Sequence, residues 1–303
     1  AYDSNVEVEE GGTVRIYLSA YDPDGDELSY IITQSPSYGS ISGDAPNLLY
    51  TAPGGYPRVD YLKFKVSDGK AESNEATVRI YIGTFWTVMI YMCGDNDLDQ
   101  YAIENFNEIE NIGSSTAVKI VIELDRSQNG SWTNTRRYFV KKDYNQSSEI
   151  ISDVVESLDE VNMGDPNSLS DFVIWAINNY PAQKYFLIIW DHGAGWKRLN
   201  NGVQIQGGFK GVAYDWDNQY SESQPPNDYL TMSDLSTALS TAISSTGINK
   251  INLLGFDACL MQMLEVGYEV KDFAHYLVAS QEVEPATGWA YSSWLNALMS
   301  NPA

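Results

Sequence analysis

The chain has 303 residues, 43% of them hydrophobic, and 41 acidic against 18 basic side chains give it a formal charge of −23. That balance excludes nucleic acid as a partner, because phosphates call for a basic footprint, and no apolar run approaches the roughly 20 residues needed to span a bilayer. The length suggests about two domains, the two cysteines supply no disulfide framework, and the acidic, aromatic-rich composition suits an extracellular or cell-surface protein.

Residues 1–83 read as all-β. Thr13 to Leu18 alternates with Val14, Ile16 and Leu18 on one face; Tyr61 to Val66 and Ala76 to Ile82 alternate in the same way. Turn clusters separate them, among them Asp22-Pro23-Asp24-Gly25-Asp26 and Pro53-Gly54-Gly55. Short strands at this spacing predict a sandwich of about seven strands. Asp22, Asp24 and Asp26 offer oxygen ligands for calcium, but the same residue types are plain turn formers. The stretches DPDGDELSY, LLYTAP, KFKVSDG and EATVRIYI resemble the cadherin-like or immunoglobulin-like modules of microbial surface proteins. A spacer or stalk is the role expected of this part.

After a short linker the pattern changes. Trp86 to Met92 is a continuous apolar strand, Leu98 to Ile112 has helical periodicity with Asn96 or Asp97 as cap, and Val118 to Leu124 is a second buried strand. Strand, helix, strand implies a right-handed crossover. Asp95 and Asp97 read as caps or turn formers rather than metal ligands. Arg137 to Val140 adds a short antiparallel strand, and Ser168 to Tyr180 a helix stopped by Pro181.

Two later blocks share one grammar. The run Tyr185 to Trp190 stops at Asp191-His192-Gly193, and the run Ile251 to Phe256 stops at Asp257-Ala258-Cys259. Short apolar runs ending so abruptly predict buried parallel strands, and open α/β sheets place their chemistry beyond the carboxyl ends of such strands. An imidazole and a thiol at one sheet edge are what a cysteine nucleophile needs. The other histidine, His275, has no glycine beside it. The plainer alternatives are a structural His192, an inert buried Cys259, or a Cys93–Cys259 disulfide in an oxidising compartment.

Residues 197–230 lose periodicity and are rich in Gly, Asn, Ser and Pro, as a functional or mobile loop would be. Thr231 to Ser245 reads as a helix with Thr231 and Asp234 spaced as a capping box. A helix over 260–271, a strand near 276–280, a polar loop over 281–288 and a helix over 289–299 complete the pattern, and the protein is expected to continue past Ala303.

Taken together, TVMIYMCGDNDLD, LIIWDHGAGW and LLGFDACLMQMLEV resemble the clostripain family of cysteine peptidases, in the clan of caspases, legumain and gingipains. Cys93 departs from the small or polar residue expected at its place. The resemblance implies a caspase-like α/β domain over 85–303, with a mainly parallel sheet of at least six strands flanked by helices. It implies Cys259 as nucleophile, His192 as general acid/base, and the N–H groups of Gly193 and Cys259 as oxyanion hole, with no third residue assigned to orient the histidine. Asp257 corresponds to the family's acidic residue for Arg or Lys before the scissile bond, with Glu282 or Glu284 adding charge. Family members are often zymogens that cut themselves between the two blocks, which makes Lys210, then Lys197 and Arg198, the self-cleavage candidates. No cofactor is required; some members use calcium, but no calcium loop is legible in this part. The expectation is a secreted, monomeric cysteine endopeptidase acting on proteins or peptides. The alternative is a surface binding or adhesion protein with an inactive peptidase-like domain.

Overall fold

A computed structural model describes every residue except 56, 128–130, 196–210 and 216–227. The chain forms two compact units: Ala1–Trp86 with Ser115–Val118 and Leu298–Ala303, and Thr87–Ser114 with Lys119–Ala297.

The first unit holds seven strands: β1 (Ser4–Val8), β2 (Thr13–Tyr17), β3 (Ser29–Gln34), β4 (Ser40–Ser42), β5 (Asn47–Thr51), β6 (Arg58–Ser67) and β7 (Ala76–Ile82). They form a four-stranded sheet, β1-β7-β6-β3, and a three-stranded sheet, β2-β5-β4. The period-two pattern sends Ile16, Leu18, Leu62, Phe64, Val78 and Ile80 inward. One inward position of β6 is Asp60, tolerated because Ser37, Tyr38 and Gly39 N–H groups and the Tyr50 hydroxyl donate to it. In the acidic turn Asp22 Oδ1 accepts the N–H groups of Asp24 and Asp26, each at 3.0 Å, and Asp26 pairs with Lys70.

The second unit is built on a seven-stranded sheet in the order β11-β10-β9-β8-β12-β15-β16. Its strands are β8 (Trp86–Gly94), β9 (Val118–Arg126), β10 (Arg136–Phe139), β11 (Asp153–Ser157), β12 (Lys184–Trp190), β15 (Ile251–Asp257) and β16 (Ala274–Val278). β12, β15 and β16 run parallel, while β9, β10 and β11 form an antiparallel edge. The middle strands are buried along nearly their whole length, which is why they read as unbroken apolar runs. The helices are α1 (Asp99–Glu110), α2 (Pro166–Asn179), α3 (Met232–Thr246), α4 (Leu264–Val270) and α5 (Tyr291–Ser300). Thr231 and Asp234 close the expected capping box on α3. No helix among the described residues is long and apolar enough to cross a membrane.

Three local expectations change. Leu98, not Asn96 or Asp97, occupies the cap position of α1, and Asn96 Oδ1 instead accepts the Leu98 N–H at 2.8 Å. The helix after Cys259 starts at Leu264, because Leu260 has a positive φ of 63° and Leu260 and Gln262 N–H groups bond Glu282 and Ser280 carbonyls across the loop. Within 197–230 a short ribbon pairs β13 (Val212–Asp215) with β14 (Asp228–Leu230). Its four-residue first strand is fully buried, and Tyr214 stacks on Tyr229 at 5.2 Å. The edge strand β11, with Val154 and Val155 exposed, carried no sequence signal that marked it.

Candidate active site

The site begins with a register. In the parallel pair β12 and β15, Trp190 stands opposite Asp257, and beyond it the Asp191 N–H donates to the Asp257 carbonyl at 3.2 Å. His192 and Cys259 therefore each lie two residues past the same rung of the sheet. The two turns touch through backbone. A β-carbon on Gly193 would lie 2.4 Å from the Cys259 carbonyl oxygen and 3.0 Å from Ala258 Cβ, so the position demands glycine. The bridge between Gly193 and Val212 is made by the Ala194 N–H donating to the Gly211 carbonyl, so that bond does not use the Gly193 N–H. Gly193→Ala is expected to cut kcat/KM by about 10²-fold, the scale of an ångström-level misplacement, while near-ultraviolet circular dichroism keeps its native form.

Cys259 is half-buried and both cysteines are free. The Glu284 N–H donates to Cys259 Sγ at 3.2 Å. Leu260 follows in the left-handed region, a backbone strain of the kind that clusters at functional turns. Cys93 is different. It is fully buried at the end of β8, its thiol donates to the Tyr214 carbonyl at 3.3 Å, and burial pushes its pKa well above the ordinary thiol range. It is a packed thiol bonded to its neighbours rather than to Cys259.

His192 Nε2 lies 2.7 Å from Asp97 Oδ1. Burial pulls the imidazole pKa down, but the Asp97 bond and the charge of Asp191 overcome it, so the net shift is upward. Asp191 is buried; it accepts from Asn96 Nδ2 at 2.7 Å and from the Tyr214 N–H, and burial lifts it to about 7. His275 lies exposed on β16. Asp97 is thus a residue that sequence reasoning passed over as a turn former. Asp97→Asn is expected to lower kcat/KM by about tenfold, part of the roughly 10²–10⁴-fold a positioned acid–base group supplies. The sign follows from the upward shift: Asp97 keeps the imidazolium populated to higher pH, so removing its charge moves the basic limb of the pH–rate profile to lower pH. A purely structural role would lower the rate without moving that limb.

Asp257 is 4% exposed at the end of β15. Its Oδ2 accepts the Trp289 N–H at 3.1 Å and the Tyr291 hydroxyl at 2.8 Å. Burial pushes its pKa up, against those two donors, and the Glu284 carboxyl beside it adds to the rise. Glu284 Oε1 accepts from Trp289 Nε1 at 3.1 Å, while its Oε2 is buried without a hydrogen-bond partner. Of the two glutamates considered for this loop, the structure brings Glu284 to Asp257. Glu282 has an exposed side chain; its backbone carbonyl is what bonds the Cys259 loop. Lys197, Arg198 and Lys210 lie outside the described residues.

A second acidic group stands at the same end of the sheet. Asp95, Asp125 and Asp215 are all buried and their carboxylate oxygens lie within 4.8 Å of one another. Burial, with Glu160, Asp215 and Asp95 nearby, lifts Asp125 to about 9. Among the described residues this is the acidic cluster close enough to share one ion, and Asp22, Asp24 and Asp26 are not in it.

Residues 90–303 match the sequence model of the clostripain family, and residues 1–81 that of the bacterial Ig domain. Clostripain of Hathewaya histolytica is 29% identical over 226 residues, 68% of this chain and 40% of that protein. A secreted C11 cysteine protease from Bacteroides thetaiotaomicron, solved with an irreversible peptide inhibitor, superposes with a TM-score of 0.54 at 28% identity, covering 72% of this chain and 55% of that one. An inactive zymogen C11 protease from Parabacteroides distasonis gives 0.52 at 25% identity, covering 70% and 53%. The chain spans about half or less of the length of these relatives.

Proposed function

The chain belongs to the clostripain family, and on that premise we propose that it is an extracellular cysteine endopeptidase that cuts after Arg or Lys through Cys259 and His192. The observation that carries the proposal is the register: nucleophile and acid stand two residues past one rung of a parallel pair, joined by the backbone contact of Gly193 with Cys259. The Cys259 thiolate attacks the scissile carbonyl carbon, forming the S–C bond. The oxyanion that results faces the N–H groups of Gly193 and Cys259, donors whose removal in comparable sites costs about 10²–10³-fold. His192 gives its proton to the leaving nitrogen as the C–N bond breaks. Water, deprotonated by the then neutral imidazole, adds to the acyl carbon, the C–S bond breaks to release the carboxylic acid, and the thiolate and imidazolium are restored.

Asp257 and Glu284 form the base of the pocket for the residue before the scissile bond. A buried and a half-buried carboxyl side by side, each acidic and facing the other, suit a cation with several N–H groups. A guanidinium answers both carboxylates with its planar fork, and an ammonium answers as a point charge. Autolysis at Lys210, Lys197 or Arg198 belongs to the same reading, because those residues satisfy the pocket and separate the histidine block from the cysteine block. The test sets wild type beside Cys259→Ala at equal concentration. A fragment boundary after one of the three residues in wild type only supports autolysis, and equal nicking in both excludes it.

A further inference from the structure

Among the described residues, the two donors to the Asp257 carboxyl fall on one of its oxygens. Oδ2 accepts both the Trp289 N–H at 3.1 Å and the Tyr291 hydroxyl at 2.8 Å. Tyr291 is the first residue of α5 and fully buried, its ring against Trp294 with centroids 5.7 Å apart. The hydroxyl of a buried phenol needs a partner. The one it has is anionic whenever Asp257 is charged, which makes the bond a strong, charge-assisted one. Burial and the Asp257 charge hold the phenol well above its ordinary pKa, so the hydroxyl keeps its proton and stays a donor.

The tyrosine is itself fixed from two sides. The N–H of Ser292, its neighbour, donates to Glu108 Oε1 of α1 at 2.8 Å. On the same helix Asn105 donates through Nδ2 to the Thr287 carbonyl at 2.9 Å and accepts through Oδ1 from Trp190 Nε1 at 2.8 Å. Trp190 is the residue opposite Asp257 in the sheet. A β-carbon on Gly288 would stand 2.7 Å from Asp257 Oδ2 and 2.9 Å from Asn105 Oδ1, so the backbone of the loop closes against the carboxyl. Helix, loop and strand thus leave the Tyr291 hydroxyl little freedom to move away from Oδ2.

On the reading of Asp257 as the base of the pocket, we propose that Tyr291 is a positioning residue for substrate selectivity: with the Trp289 N–H it pins Asp257 Oδ2, which leaves Oδ1 to meet the cationic side chain of the substrate. Tyr291 touches no reacting atom and acts through Asp257. A donor on a carboxylate also favours its charged form. The bond therefore works against burial and the Glu284 carboxyl, which favour the neutral acid. The charged groups that face the pair are carboxylates, Glu284 from the loop and Glu108 from α1. Neither offers a counter-charge, so the Tyr291 and Trp289 donors carry the stabilisation. Cys259 and His192 titrate at the same sheet edge, and a ratio of two substrates cancels them.

The experiment measures kcat/KM for an Arg peptide and its citrulline isostere across pH in wild type, Tyr291→Phe, Asp257→Asn and the double variant, on the full chain. Phenylalanine keeps the buried ring and deletes only the hydroxyl. In Tyr291→Phe the Arg-to-citrulline ratio should fall several-fold at neutral pH. The midpoint of its rise with pH should move up by about one unit, the size expected when a carboxylate loses one strong donor. In the Asp257→Asn background the same change should leave the ratio where Asp257→Asn alone puts it. Incorporation of 3-fluorotyrosine at position 291 keeps the bond with a more acidic donor and should move the midpoint to lower pH, which covers the case in which Tyr291→Phe fails to fold. An unmoved midpoint in both position-291 variants, an equal loss for both substrates, or a further fall of the ratio in the double variant would overturn the positioning role and leave the pocket standing. A ratio that Asp257→Asn does not change would remove the pocket and the role of Tyr291 with it.

Discussion

Replacing Cys259 by alanine is expected to lower kcat/KM for a basic peptide substrate by at least about 10⁴-fold, and His192→Ala by a similar factor. The scale is that of nucleophile and acid–base knockouts in hydrolases, where the residues act as one unit and their losses do not add. The double variant should therefore be no worse than either single one by more than a few-fold. Neither change should unfold the protein: both side chains are partly exposed at a turn, and the backbone contact that joins the two turns belongs to Gly193. Thiol chemistry separates the two cysteines. Cys93 is fully buried, bonded to the Tyr214 carbonyl and held as a thiol by burial, so a charged alkylating reagent should label Cys259 alone and Cys93→Ala should still turn over substrate. Labelling of Cys93 with retained Cys259 reactivity would contradict this division.

The second large effect falls on selectivity. Asp257→Asn is expected to lower kcat/KM for an Arg substrate by about 10²–10³-fold, as removal of one partner of a buried charge pair does, while a neutral isostere of arginine such as citrulline changes by less than tenfold. The pH dependence has a definite sign. Burial raises the Asp257 pKa, so the carboxyl is charged only toward neutral and higher pH. The Arg-to-citrulline ratio of kcat/KM should grow as pH rises from 5.5 to 8, and the growth should vanish in Asp257→Asn. Taking the ratio cancels the titration of the Cys259–His192 pair, which both substrates share. Glu284→Gln should flatten the same ratio in part, and Glu282→Gln should leave it unchanged, because Glu282 points its side chain to solvent.

Much of this site is legible in the sequence for a physical reason. Buried parallel strands must be apolar throughout, and they end where the chain turns polar. The two runs that stop at His192 and Cys259 thus announce both the strands and the edge at which their chemistry sits. What stayed illegible depends on contacts between distant segments. Asp97 reads as a local turn residue because nothing in its neighbours marks a bond to His192, far along the chain. Asp95, Asp125 and Asp215 are single acids in three unrelated stretches, and only the strand order gathers them. Glu282 and Glu284 are equivalent on paper. The Leu260 N–H bond to the Glu282 carbonyl fixes the loop so that Glu284, two residues on, reaches Asp257 and Trp289. The shortened helix after Cys259 turns on a leucine with positive φ, for which leucine carries no sequence signal. The β13–β14 ribbon is too short, at four and three residues, to show a period.

The deciding measurement is hydrolysis of fluorogenic peptides that differ only in the residue before the scissile bond, Arg, Lys, Asn, Asp or Ala, with wild type and Cys259→Ala in parallel under reducing conditions and with calcium present. Cleavage after Arg and Lys alone, abolished in the variant, is the expected result. Cleavage that persists in Cys259→Ala, or no cleavage of any peptide by wild type, would contradict it.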